Sequence, residues 1–167
     1  MKIIRFALIS ILSLFSIITA ISLFIPAHVR ISRAINISTK PDTLLNEISD
    51  LNKWKYWYPG FDTLNVKPLI TKDGKLLSAS TGATTITITT QTKDEVNAEF
   101  SSGNKKPIIS GWKVITYNQT DSLTLQWYLD SKLRWYPWEK FLSLAYEKMY
   151  GTQMEQGLNN LKKNVER

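Results

Sequence analysis

Residues 6–25 read FALISILSLFSIITAISLFI, twenty positions without a charge, a proline or a glycine. At about 1.5 Å per residue such a helix is roughly 30 Å long, the thickness of a bilayer's hydrocarbon core. A helix apolar on every side needs apolar surroundings on every side. The remaining residues, 28–167, make too small a domain to supply them. Lys2 and Arg5 precede the run, Pro26 ends it, and Arg30 and Arg33 follow. A cleaved signal peptide carries a shorter apolar stretch, about 7–15 residues, with small residues at the cut. Here the sites ending at Ala20 and Ala27 put an isoleucine three positions from the cut. The segment 1–27 is therefore expected to remain as a single-pass membrane anchor, with residues 28–167 as the folded domain. Basic residues nearly balance across the span. The orientation adopted places the N-terminus inside and the domain on the outer, periplasmic or extracellular, side.

The formal net charge is +7, and Lys2 and Arg5 belong to the anchor, so the domain keeps an excess of five positive charges. Such an excess draws anionic lipid headgroups. No basic stripe or reader motif marks a nucleic-acid partner, and none is expected. The absence of cysteine excludes disulfides, thiolate nucleophiles, zinc–cysteine sites and lipoprotein acylation. His28, the single histidine, lies three residues past the apolar run. That position argues against a Ser-His-Asp arrangement and a histidine metal site. Asp94, Glu95 and Glu99 read as a solvated sheet face rather than a calcium loop, which needs more oxygen ligands at closer spacing. No phosphate-binding glycine loop is present. No catalytic residue, metal site or cofactor is expected. Asn36-Ile37-Ser38 and Asn118-Gln119-Thr120 match glycosylation acceptors, a pattern frequent by chance.

Beyond the anchor, His28 to Ile37 alternates as a strand. Pro41 opens a short helix to Asp50 with Leu44, Leu45 and Ile48 on one face. Leu51 to Pro59, LNKWKYWYP, continues as a short aromatic helix or turn. Strands are expected over Leu64 to Ile70, Leu76 to Ser80, Thr84 to Thr90 and Glu95 to Phe100, with Asp73-Gly74 as a hairpin turn. Trp112 and Val114, then Leu123, Leu125, Trp127 and Leu129, alternate with polar residues around a turn at Asn118 to Asp121. This predicts an antiparallel hairpin with one buried face. The chain closes with one long helix, with Pro137 near its start. Tyr146, Tyr150, Met154, Leu158, Leu161 and Val165 form its apolar stripe. Gly151 and Gly157 within it mark a kink or a close approach. The sum is an α+β layer arrangement.

Three phrases in this order resemble the SRPBCC superfamily, which includes START domains and polyketide cyclase/dehydrase-like proteins. The first is the anchor, Pro26 and the strand into Pro41, similar to a bacterial membrane-anchored branch. The second is Asp50-Leu51 with Trp54 and Trp57. The third is Trp127 through Lys162, with Glu147-Lys148-Met149, Gly151 and Gly157-Leu158. The resemblance covers nearly the whole chain. It implies a helix-grip fold, a curved antiparallel sheet wrapped around a long C-terminal helix, with a hydrophobic cavity and no shared catalytic residues.

Six tryptophans and seven tyrosines are the most informative chemistry. Aromatic groups build ordinary cores, and they also line ligand cavities. The first functional reading is a non-enzymatic, membrane-anchored binder of a hydrophobic small molecule or lipid. Its candidate ligand-binding residues are Trp54, Trp57, Trp112, Trp127, Tyr146, Tyr150, Met154 and Leu158. The alternatives are a polyketide cyclase/dehydratase-like enzyme, with Tyr128, Tyr146 or Glu147 as acid/base candidates, and a ligand-free protein-interaction module.

Overall fold

Pro26 has no N–H to continue a helix, and the apolar segment ends just before it. In the structure, a computed structural model describing residues 2–116 and 122–167, this segment forms helix α1, Lys2–Ser22. It is long and apolar enough to cross a membrane. Its large side chains, from Ile3 to Ile21, stay exposed, so the domain supplies none of the apolar surroundings it requires.

The alternation at His28 forms strand β1, His28–Ile37. Helix α2, Pro41–Ile48, starts on its proline and buries Leu44, Leu45 and Ile48. The aromatic run becomes two 3-10 turns, Leu51–Tyr56 and Phe61–Thr63. A meander follows: β2 Lys67–Lys72, β3 Lys75–Ser80, β4 Thr85–Gln91, β5 Glu95–Ser101, β6 Ile108–Thr116 and β7 Leu123–Lys132. Asp73 and Gly74, with φ of 51° and 77°, both sit in the left-handed region that a tight hairpin turn requires. The strand expected from Leu64 begins at Lys67 instead. It is the sheet's edge, where Pro68 costs no ladder bond.

The seven strands form one antiparallel sheet in the order β1-β7-β6-β5-β4-β3-β2. Register shifts in β2–β3 and β4–β5 mark bulges, which bend strands. In the central hairpin Trp112 pairs with Trp127 and Val114 with Leu125. Trp112, Val114, Leu123, Leu125 and Trp127 are buried, and Leu129 is partly buried against the same core. The inward face expected from the sequence is therefore the observed one. The turn expected at Asn118 to Asp121, and the acceptor motif within it, lie outside the described residues.

The C-terminal segment departs from the single helix expected. It is two helices, α3 Pro137–Ser143 and α4 Tyr146–Val165. At the break, the Leu144 and Ala145 amides bond back only three residues, to the Phe141 and Leu142 carbonyls, at 3.2 and 3.0 Å. The tightened turn swings α3 toward α1, where the two helices meet. Helix α4 runs across the inner face alongside β1. Arg33 is ion-paired with Glu147 and Glu155, and Lys162 Nζ donates to the Asn36 carbonyl at 2.8 Å. Helix α4 is continuous through both glycines. At Gly157 a Cβ would lie 2.6 Å from Trp127 Cζ3 and 3.1 Å from Pro59 Cδ, so this glycine marks a close approach rather than a kink.

Candidate functional site

The groove between the sheet and α4 has two different ends. At one end α2 closes it with Leu44, Leu45 and Ile48. Asp50 ties that end together: one carboxylate oxygen accepts from the amides of Asn52 and of Leu76 on β3, both at 3.0 Å. A broad, shallow groove of about 780 Å³ lies outside this closure, lined by polar residues including Asp42, Asn46, Glu47, Lys75 and Lys93.

The middle of the groove is filled by tryptophan. Trp54, Trp57, Trp112 and Trp127 are all buried. Trp112 and Trp127 stack at 5.3 Å, Trp54 meets Trp112 edge-on at 5.2 Å, and Trp57 meets Trp112 at 5.9 Å and 89°. Such offset and edge-to-face pairs are the preferred aromatic geometries. Trp54 Nε1 donates to the Ile48 carbonyl and Trp127 Nε1 to Ser110 Oγ, each at 2.8 Å. The indole N–H groups of Trp57 and Trp112 have no hydrogen-bond acceptor among the described residues.

The other end opens as an apolar cleft of about 290 Å³, close to the lower bound of ordinary ligand pockets, roughly 300 Å³. Its aromatic walls are Tyr58, Phe100, Trp127 and Tyr150. Ile108, Leu129 and Met154 add aliphatic surface, and Thr84, Ser102, Lys105 and Gln153 supply polar groups. Gln153 is held at its back by Nε2 donating to the Pro59 carbonyl at 3.3 Å. Burial pushes the Tyr58 phenol far above its ordinary value, with a smaller contribution from Tyr150. Burial raises the Tyr150 phenol too, followed by the influence of Tyr146. Both hydroxyls therefore stay protonated as neutral hydrogen-bonding groups. No carboxylate is among the described residues lining the cleft.

Of the eight residues singled out from the sequence, Trp127, Tyr150 and Met154 line this cleft. Tyr146 sits behind Tyr150, ring to ring at 5.5 Å. Trp54 stacks flat on Tyr58 at 5.0 Å, one ring removed from the opening. Trp57, Trp112 and Leu158 lie in the packed interior. The sequence reading missed Tyr58, Phe100 and Gln153. Tyr58 stood within the aromatic run and Phe100 on the inward phase of its strand, so the signal for those two was present.

The acid/base candidates are placed elsewhere. Tyr128 faces away from Trp127, on the outer side of the sheet. There its hydroxyl donates to the Glu95 carboxylate and lies 2.9 Å from Asn97 Oδ1, with Arg30 4.4 Å over its ring. Burial and then the Glu95 hydrogen bond push its phenol up to about 12. It does not reach the cleft. Glu147 is exposed and paired with Arg33. Asp130, next to Tyr128, is held below the usual carboxylate range by the Arg30 hydrogen bond, and His28 lies exposed at 3.3 Å from it.

No family model matches the sequence, and no curated protein matches it. Solved structures do. A START superfamily protein from Mycobacterium smegmatis superposes with a TM-score of 0.58 at 16% identity, over 82% of this chain and 97% of that one. The di-domain ARO/CYC StfQ from the steffimycin biosynthetic pathway gives 0.60 at 12%, over 84% of this chain. This chain spans about half, 51%, of that longer protein. Truncated norcoclaurine synthase from Thalictrum flavum gives 0.59 at 10%, over 83% and 93%. The protein thus has the α+β helix-grip fold of these solved structures. The order of its elements, with a seven-stranded antiparallel sheet gripping α4, carries that likeness.

Proposed function

We propose that the protein is a membrane-tethered receptor for a hydrophobic small molecule or lipid, held in the cleft between β5–β7 and α4 without being chemically changed. The observation that carries this reading is the apolar opening of about 290 Å³ walled by Tyr58, Phe100, Tyr150 and Met154. Clefts lined by aromatic and aliphatic groups with a few convergent polar atoms are the usual form of ligand sites. In this reading α1 stays uncleaved and spans the bilayer, and the domain lies on the outer side. N-terminal sequencing of the membrane-purified protein checks the first point; a new terminus near residue 21 or 28 contradicts it.

Binding is tested by native mass spectrometry of residues 28–167 with a long-chain fatty acid. A saturable adduct is expected for the wild type. It should be lost in Thr84→Phe, which fills the cleft from a half-buried rim position. A well-folded wild-type domain with no adduct at micromolar concentrations removes the binding reading, and a ligand-free interaction module takes its place. Two protonated phenols in the cleft favour a second reading, a cyclase-like enzyme that uses Tyr58 or Tyr150 as a hydrogen-bond donor. That reading requires turnover of a bound polyketide-like compound and its loss in Tyr150→Phe.

A further inference from the structure

The strands fix where the cleft opens. His28, where the chain arrives from α1, pairs with Lys132 at the end of β7, and Ser131 pairs with Ile108 at the start of β6. Ile108 pairs with Phe100 near the end of β5. The first half of α4, with Tyr150 and Met154, lies at this same end, since Glu147 and Glu155 reach Arg33 of β1. The cleft therefore opens toward the end from which the apolar helix departs.

Helix α3 is at this end as well. Trp135, Trp138, Leu142 and Leu144 are 64%, 60%, 53% and 67% exposed. Leu23 and Phe24, just past the end of α1, are 70% and 90% exposed, and α3 packs against α1. The junction is fixed: the buried Lys140 donates from Nζ to the Ile25 carbonyl, and the Leu133 amide donates to the Ala27 carbonyl at 2.8 Å. An exposed apolar patch of this kind marks an interaction surface, and here it continues the apolar surface of α1. Its flanks are basic. Lys132 and Arg134 precede it in the chain, Lys148 follows it, and Arg134 donates to the carbonyl of Asn104, the neighbour of Lys105. Of the acids in these stretches, Asp130 pairs with Arg30, Glu147 with Arg33, and Glu139 accepts from the Arg134 amide at 2.8 Å.

We infer that α3 and its flanking tryptophans form a second membrane contact, docked in the headgroup layer of an anionic bilayer, which presents the cleft mouth to the lipid surface. Tryptophans favour the membrane–water boundary. A short amphipathic helix with basic flanks lies in that boundary with its apolar side down. The inference rests on the proposed role of α1 as a span, but not on ligand binding in the cleft.

The test uses the full chain in vesicles of phosphatidylcholine with phosphatidylglycerol, with and without bromine on the acyl chains. Helix α1 contains no tryptophan, and four of the six are buried in the core. Quenching by brominated lipid therefore reports on Trp135 and Trp138. The wild type should be quenched. W135F/W138F should lose most of that quenching, and L142E/L144E should reduce it, both while floating with the vesicles and keeping the wild-type circular dichroism. Flotation without quenching, with Trp135 and Trp138 open to iodide, overturns the docking and leaves the anchor standing. Protection from both quenchers with self-association identifies the patch as a contact between copies and also overturns it. Failure to float overturns the docking and the anchor together.

Discussion

The two ends of the groove use the same residue types to opposite effect. At the closed end and in the middle, the apolar face of α2 and four tryptophans are buried, and Trp54 sits wholly buried on the Tyr58 ring. At the open end Tyr58 itself, with Phe100 and Tyr150, leaves about 290 Å³ unfilled. Aromatic abundance thus marks the core as much as the site. What separates them is the end of the sheet on which a ring falls. The closed end carries stability, and the open end is free to carry function.

The largest effect should come from the closed part. Trp54→Ala should cost about 3–5 kcal/mol, read from the shift of a denaturant melt. Thr84→Phe at the open rim should stay within about 0.5 kcal/mol of wild type while abolishing the fatty-acid adduct. Equal stability losses at both positions would erase the distinction between the ends.

The same contrast holds across the sheet. Leu125→Ala, on the buried inner face, should destabilise by about 2–5 kcal/mol, and Gln126→Ala, one residue away on the outer face, by little. A one-residue slip in register would reverse the pair. The hairpin was legible in the sequence because a period of two assigns each residue to one face without knowledge of the rest of the molecule. The break between α3 and α4 was not legible, because apolar spacing continues across Leu144 and Ala145 while their hydrogen bonds tighten from four residues back to three. The cleft was only partly legible for a related reason. Within WKYWY, Trp54 is sealed and Tyr58 is open, and depth along a groove depends on which strands end nearby rather than on residue type.

The two helix glycines refine the picture at a smaller scale. Gly157→Ala should cost about 1–3 kcal/mol by overpacking, because its Cβ meets the buried Trp127 ring. Gly151→Ala meets chiefly the end of the Arg33 side chain, which can move. It should gain up to about 1 kcal/mol of helix propensity, and comparison of the two melts decides the point.

Alkaline pH probes the buried phenols. The folded state raises the pKa of Tyr58, Tyr128 and Tyr150 above the ordinary 10.0, so each phenol holds its proton more tightly when folded. Their stabilisation is complete below the unfolded value and is lost as pH rises through the folded one. For Tyr128 that window runs from 10.0 to about 12. Tyr58→Phe and Tyr128→Phe should each make unfolding less sensitive to pH above 10, as followed by circular dichroism.

The central claim is that the open end holds a hydrophobic ligand. It is tested most directly by labelling the full chain in lipid nanodiscs with a photoactivatable long-chain fatty acid and mapping the modified peptides. The account predicts saturable labels within residues 100–108 and 150–154, removed by excess unmodified fatty acid, above a non-saturable background on α1 and α3. Labels confined to α1 and α3 and unaffected by competition would contradict it.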